Sequence, residues 1–499
     1  MWRKQFIKNT RNLSKSKYIN GIQCHKLLWV AVNDAGRIPP PDAATQYIFD
    51  QGHLVGELAH RLYPEGINLD TSSIAGNLKQ TLASLPLRMP LFEAGFSAKR
   101  LYCRVDILRP AGEDEWDIIE VKSTNSVKDE HIPDVEFQRH CCLNAGLKVR
   151  GCYIMHLDKN YIRRGEIDTD RLFTAQEVTA RLDQVAGAFE ERLAAMLAVI
   201  DSSKCPEVDV GRHCDGMHTC PLKNECWANM PEHNVMTLYG GKKLGEDLIA
   251  RGIIHIGDIP GDVKLNARQQ IQKQCVDSNI SHINTGEVRG FLAGLVYPLY
   301  FMDFETFSTA IPIYDGSRPH QKIPFQFSVY SLVALGAGPV HYSHLAEGRD
   351  DPRPAFIAEL SKAVGFEGTV LVYNAPFEKS VLRELADSYP AYRDQIENIK
   401  ERMVDLNTPF RNFRCYHPDQ AGSTSLKRVL PSLTDLQYGE MEISEGQTAS
   451  LKFMQSVSDD INDEERQKIR ADLIAYCGLD TYGMVEIIRR LKQIVKDTS

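Results

Sequence analysis

Residues 300–306 read Tyr300-Phe301-Met302-Asp303-Phe304-Glu305-Thr306, an apolar run broken twice, two residues apart, by a carboxylate. In a strand, alternate side chains share a face, so Asp303 and Glu305 point the same way, at a spacing that can bridge two metal ions. An ordinary buried strand does not account for Asp-x-Glu in so apolar a run, because acids are rarely buried without a partner. Downstream, Val372-Tyr-Asn-Ala-Pro-Phe-Glu378 ends a strand and enters a helix, and Tyr476-Cys-Gly-Leu-Asp480 sets a tyrosine and an acid one helical turn apart. Asp303, Glu305, Glu378 and Asp480 then read as four acids around two Mg²⁺ ions. Tyr476 would orient the attacking water for in-line phosphodiester cleavage.

A second carboxylate set lies upstream. Leu101–Leu108 and Trp116–Val121 alternate like strands across the polar turn Ala111-Gly-Glu-Asp-Glu115. Asp106 sits near the end of the first strand, and Glu120 and Lys122 share a face of the next. Two carboxylates can hold Mg²⁺ through oxygen, and a lysine beside the metal-bound water can place it or stabilise developing charge. Gln138, on the helix expected over 135–144, can reach the same pocket.

This set is bracketed by cysteines: Cys24 upstream, and Cys214, Cys220 and Cys226 downstream. With no secretory signal, twelve cysteines imply a reducing compartment and thiols that are free or metal-bound. Cys103, Cys141, Cys142, Cys152, Cys275, Cys415 and Cys477 fall in apolar segments and read as small buried hydrophobes. Cys205 is a spare ligand, and His213 and His218 make structural zinc the alternative to an iron–sulfur cluster.

At 499 residues the chain exceeds one ordinary core, and an α/β multidomain fold is expected in three parts, 1–230, 231–296 and 297–499. Hydrophobic content of 43% with 25% charged residues fits a globular protein, and no apolar run approaches the ~18 residues of a membrane span. Net charge is −8, so nucleic-acid contact needs local basic patches. The basic start (Arg3, Lys4, Lys8, Arg11, Lys15, Lys17) reads as a first helix or strand running into Cys24, with a transit peptide as the lesser reading. Helices are expected over 46–62, 355–364 and 377–385. Thr174-Ala-Gln-Glu177 reads as a capping box for a long helix to Ile200, and the final helix from Asn462 is expected to break near Gly478. Residues 248–259 suggest a helix-hairpin-helix.

Asp106, Glu120-Val-Lys122 and Gln138 resemble the motif of RecB-like, restriction-endonuclease-like nucleases. One cysteine before that core and three after it resemble the iron–sulfur branch, in which four thiolates hold a [4Fe–4S] cluster that clamps the domain. That family offers a metal-facing His from its first helix; here the position is Gly56, and Glu57 or His60 is the candidate substitute. Residues 298–495 resemble the DEDD exonucleases of the RNase H-like fold, with Glu378 where an Asp is usual. The whole chain resembles an uncharacterised bacterial family fusing both nuclease types. The resemblance implies a restriction-endonuclease-like mixed sheet, a helical linker module, and an RNase H-like mixed sheet flanked by helices. It also implies a cytoplasmic Mg²⁺- or Mn²⁺-dependent nuclease acting on DNA, with RNA processing or a decayed binding or sensor module as rivals.

Overall fold

The computed structural model describes residues 11–498 apart from Ser72, Met217 and Glu440, so Arg3, Lys4 and Lys8 of the basic start lie outside the described residues. The chain divides into two compact units, Met1–Ala228 with Thr309–Gln321, and Asn229–Ser308 with Lys322–Ser499. The helical module expected at 231–296 is thus part of the second unit. Residues 309–321 belong to the first, where Arg163 donates to the carbonyls of Pro312 at 3.0 Å and Ile313 at 2.9 Å.

The first unit is a seven-stranded mixed sheet ordered β2 (Ile67–Asn68), β3 (Leu91–Ala98), β4 (Leu101–Ala111), β5 (Glu115–Lys122), β6 (Val149–Leu157) and β7 (Phe173–Glu177), with β1 (Leu13–Ser14) alongside β4. β3, β4 and β5 are antiparallel neighbours, whereas β5 and β6 run parallel and are joined through the helix Ile132–Asn144. A parallel pair needs such a crossover.

Between β1 and β3 come α1 (Lys15–Gln23), α2 (His25–Asn33), α3 (Ala43–His60) and, after β2, α4 (Ile74–Ser84); the crossover helix is α5. Ser14 caps α1 by accepting from Lys17 N, and Asp42 caps α3 by accepting from Thr45 N at 2.7 Å. Tyr18 of α1 stacks on Phe137 of α5 with centroids 4.9 Å apart, in a core that includes Leu108, Ile118 and Ile154. Val55, Leu58 and Ala59 of α3 pack with Ile107 and Ile119, which alternate with Leu108 and Ile118. The sheet is therefore covered on both faces, and each buried Leu or Ile contributes about 1.5–3 kcal/mol.

Two expectations fail here. Thr174–Glu177 is strand, not capping box: it pairs antiparallel with β6, His156 opposite Thr174. The helix beyond is two pieces, Thr179–Val185 and Phe189–Asp201. Sheet pairing satisfies the backbone groups that a cap would have served.

The second unit carries a five-stranded sheet ordered β11 (Val340–Leu345), β10 (Ile323–Leu332), β9 (Leu299–Phe307), β12 (Thr369–Val372), β13 (Met403–Asp405). The first three strands form an antiparallel meander, while β12 and β13 run parallel to β9. A short pair, β8 (His282–Ile283) with β14 (Cys415–Tyr416), lies apart from it. Met302, Phe304, Phe327 and Val329 pack with Phe356, Val381 and Leu382 of the helices Arg353–Ala363 and Pro376–Ser388. Residues 248–259 begin as the last turn of a helix, Lys242–Ala250, turn at Gly252 (φ +77), and end in a short 3₁₀ turn before the helix Ala267–Ser278.

The final helix, Asp463–Asp497, is continuous through Gly478, contrary to the expected break. It starts on Asn462, which accepts from Glu465 N at 2.9 Å. Gln326 of β10 donates to Leu473 O at 2.8 Å, and Ser328 meets Thr481 at 2.5 Å, so this helix is tied to the sheet along its middle, and tertiary contact offsets the poor helix propensity of one glycine.

Gly368, just before β12, has φ +83, and a Cβ there would lie 2.0 Å from Pro298 O. We expect Gly368→Ala to lower the unfolding free energy by about 1–3 kcal/mol from backbone conformation alone, measured by urea denaturation. Gly338→Ala, where nothing lies within 4 Å, serves as the unaffected control.

Two candidate carboxylate centres and a cysteine cavity

In the first unit Ile107 pairs with Ile119, so Asp106 and Glu120 are cross-strand neighbours on the next rung. Asp106 Oδ2 accepts from Val121 N at 2.8 Å. Glu120 is almost wholly buried and is met by Lys122 Nζ at 2.6 Å and Gln138 Nε2 at 2.5 Å. These four expected residues do come together. Two others join them. Asp134 accepts from Lys122 at 2.5 Å and from Gln138 at 3.2 Å, and Lys15 Nζ lies 3.0 Å from Glu120, 3.7 Å from Asp106 and 3.6 Å from Asp134. Asp134 precedes Gln138 by one helical turn, a periodic signal present in the sequence. In the sequence Lys15 stands out only as part of the basic first helix or strand.

Charge in this cluster is balanced from within. Burial works against the Glu120 carboxylate, but Lys122 and Lys15 overcome it and hold its pKa well below the usual range. Asp106 is pushed up to about 8, by burial and then by repulsion from Glu120. Glu57 is not part of this group: it is exposed on α3, whose packed residues meet Ile107 and Ile119 rather than the strand positions of Asp106 and Glu120. His60 stacks on Phe92, centroids 3.9 Å apart.

In the second unit Asp303 and Glu305 of β9 meet Asp480 of the long helix. Among the described residues these three form the one group of His, Cys, Asp or Glu whose ligand atoms all lie within 4.8 Å of one another. Burial first, and then mutual repulsion, pushes the Asp303 and Glu305 carboxyls well above their usual range. Asp480 rises to about 6 through burial, restrained by hydrogen bonds from Tyr438 and Tyr476 and by the charge of Lys427. Lys427 Nζ sits 5.4 Å from the Tyr476 ring centroid and 5.8 Å from that of Tyr438. Neither Lys427 nor Tyr438 carries a local motif that would have marked it in the sequence.

Glu378 is buried, its Oε2 has no hydrogen-bond partner, and its pKa is pushed up to about 9 by burial and then by Asp303. Its helix is set by Asn374 (φ +75), whose N–H donates at 3.0 Å to Asp405 of β13. Gly446, at the start of the helix Gly446–Ser456, lies against Glu305: a Cβ there would be 3.5 Å from Oε2.

Cys24, Cys214, Cys220 and Cys226 line one cavity with Lys26 and His213. Cys24 stands in extended conformation between α1 and α2. Its thiol is pushed up by burial and by the neighbouring thiols, while backbone N–H groups of Leu27 and Lys26 point at it. Burial raises Cys220 to about 11, and the Lys26 ammonium is hydrogen-bonded to Cys226. His213 lines this cavity, whereas His218 is not among its lining residues; Gln23 holds both of their carbonyls, at 3.0 and 2.7 Å. The seven scattered cysteines are all buried, as expected.

With this geometry in hand, the relatives can be placed. Residues 300–425 match DUF2779, a domain of unknown function. That stretch holds Asp303, Glu305 and Glu378 but stops short of Tyr476 and Asp480. The chain is similar to an uncharacterized protein of Ureaplasma parvum serovar 3, 25% identical over 51% of this chain and 39% of the relative. It is also similar to uncharacterized proteins of Mycoplasma pneumoniae (23% identical) and Mycoplasma genitalium (22%), each over 39% of this chain and 32% of the relative. The matches thus span about a third of the length of those relatives. Among the described residues no helix is long and apolar enough to cross a membrane.

A pH dependence follows from Glu378. Its folded pKa of about 9 lies above the unfolded value of about 4.3. The folded state binds the proton more tightly, so this contribution to stability is full below about pH 4 and is lost as pH rises toward 9. Glu378→Gln, which keeps the shape without the charge, is expected to melt above the wild type at pH 8 and level with it at pH 4.

Proposed function

We propose that this protein is a divalent-metal-dependent nuclease with two active centres, of which the Asp303–Glu305–Asp480 centre is the principal one. The observation that carries the reading is the convergence of three acids within 4.8 Å, Glu305 and Asp480 buried and Asp303 half-buried. Three carboxylates forced together repel, and a hard dication with oxygen ligands is the partner that would relieve them. The strand order β11-β10-β9-β12-β13, a meander followed by two parallel strands, supports an RNase H-like reading of the second unit. The β3-β4-β5-α5-β6 run supports a RecB-like reading of the first.

Asp303, Glu305 and Asp480 would hold Mg²⁺ or Mn²⁺, which supplies an activated water and neutralises charge on the phosphate. Glu378, opposite Asp303 and unpartnered, is the reserve carboxylate. Tyr476 and Tyr438 hydrogen-bond Asp480 through their hydroxyls, and in this reading either hydroxyl would orient the water. Lys427 brings the positive charge that a scissile phosphate needs. DNA is the proposed substrate and RNA the rival.

At the cysteine cavity, tetrahedral zinc would bring thiolates to about 3.8 Å of one another, given Zn–S of about 2.3 Å. A [4Fe–4S] cluster held by Cys24, Cys214, Cys220 and Cys226, which line the cavity together, is the first reading of this site, and zinc is its rival. Its role in this reading is to clamp the first unit, since Cys24 and the cysteine trio lie on either side of its sheet in sequence.

End-labelled DNA and RNA incubated with Mn²⁺ test the proposal. Asp303→Ala is expected to lower cleavage at least about 10²-fold, as loss of a metal ligand or a preorganised electrostatic group does. Full activity in both Asp303→Ala and Lys122→Ala would sink it. Anaerobically purified protein should be brown, absorbing at about 400 nm, and Cys220→Ala should remove that band; a colourless protein containing zinc would refute the cluster.

A further inference from the structure

The two acidic centres differ in one respect. Among the described residues the triad of the second unit has no ion pair with a lysine or arginine, only the charge of Lys427 at a distance. The first centre is filled with its own cations. Lys15 Nζ reaches both Glu120 oxygens, at 3.0 and 3.2 Å, Asp106 Oδ1 at 3.7 Å and Asp134 Oδ1 at 3.6 Å. Lys122 reaches Glu120 and Asp134 from another side.

Asp106 and Glu120 are the two side chains that a divalent ion would have to bridge. Mg²⁺ requires oxygens at about 2.0–2.1 Å, which leaves no room for an ammonium between the same carboxylates. We propose that Lys15 is a built-in occupant of the divalent-cation position between Asp106 and Glu120, so that the first centre is closed by its own chain until a metal ion displaces this lysine.

Lys15 is not a wandering surface side chain. It is the first residue of a helix capped by Ser14, and Leu13 pairs with Leu101 on the same strand that carries Asp106. One turn on, Tyr18 is fully buried against Phe137, the neighbour of Gln138, and Arg192 donates to Tyr18 Oη at 2.9 Å and to Glu136 at 2.7 Å. The helix is thus fastened to β4 and α5, two of the three elements that bear the acids, which limits the ordering entropy of placing the ammonium. Lys15 and Lys122 cancel two of the charges that Asp106, Glu120, Asp134 and the nearby Glu93 would otherwise present to a dication. Once the lysine is withdrawn, the buried Gln138 Oε1, which has no partner, is one more oxygen at the margin of the pocket. α1 ends at Cys24, so the element that sets the lysine also borders the cysteine cavity.

The proposal rests on the reading of Asp106 and Glu120 as metal ligands, but its test reads ion binding and not cleavage. In an Asp303→Asn/Asp480→Asn background, which silences the triad, Mn²⁺ is titrated against the full chain and free ion followed by electron paramagnetic resonance. Lys15→Met is expected to bind Mn²⁺ at least about tenfold more tightly than the parent, and Lys15→Arg no more tightly. Equal or weaker binding by Lys15→Met, or no binding by either chain, overturns the proposal.

Because Lys15→Met leaves buried carboxylates unpaired and can fail to fold, the unsubstituted lysine is probed as well. Reductive methylation mapped by mass spectrometry should label Lys15 several-fold faster with saturating Mn²⁺ than without. An unchanged rate overturns the displacement. Inactive protein that still shows the Mn²⁺-dependent labelling would refute the nuclease reading and leave this one standing.

Discussion

Buried carboxylates that face one another must be neutralised, and this constraint organises both halves of the molecule. Removing a carboxylate from water is costly, and a second one nearby raises the cost. The first unit meets it internally, with Lys15 and Lys122 wedged among Asp106, Glu120 and Asp134. The second leaves Asp303, Glu305 and Asp480 together and lifts their proton affinities. At neutral pH such a group holds a proton or a metal ion. The first arrangement carries its own cations, whereas the second carries none in direct contact, and the proposed metal ion would supply that charge.

The scaffolds explain why each arrangement persists. Asp106 and Glu120 lie on central strands of a sheet covered on both faces, so neither side chain can swing away to water without unpacking the sheet. Asp303 and Glu305 lie on β9, the central strand of the five, where β10 and β12 hold it from both edges. Asp480 is delivered by a helix anchored to β10 at Gln326 and Ser328. Rigid elements on all sides keep the repulsion from relaxing, which is how a site stays poised for a cation.

Period-2 alternation marks β4 and β5, and the apolar run broken by Asp303 and Glu305 marks β9, because a strand writes its burial into neighbouring residues. Those strands then put Asp106 beside Glu120, and Asp303 beside Glu305, through local geometry alone. Misreadings arose where a local signal had a tertiary competitor. Thr174–Glu177 has the composition of a cap but found a strand partner in β6. Gly478 has low helix propensity but sits in a helix tied to the sheet. Glu57 adjoins in sequence the position where the RecB-like family has a histidine, but its helix covers the other side of the strand pair.

The sequence by itself determined the strands and the pairing of acids along them, since each follows from residue type and short-range spacing, whereas Cys24 joins Cys214, Cys220 and Cys226 through the resemblance to the iron–sulfur branch. Only the tertiary structure decided the electrostatic state of the acids. Lys15 is 105 residues from Glu120, and Tyr438 is 42 from Asp480. No periodicity links such positions; they meet because a capped helix and a long terminal helix pack where their apolar faces are buried. Charge balance is a property of that packing, and so the difference between acids paired with lysines and acids left facing one another appears only when the chain is folded.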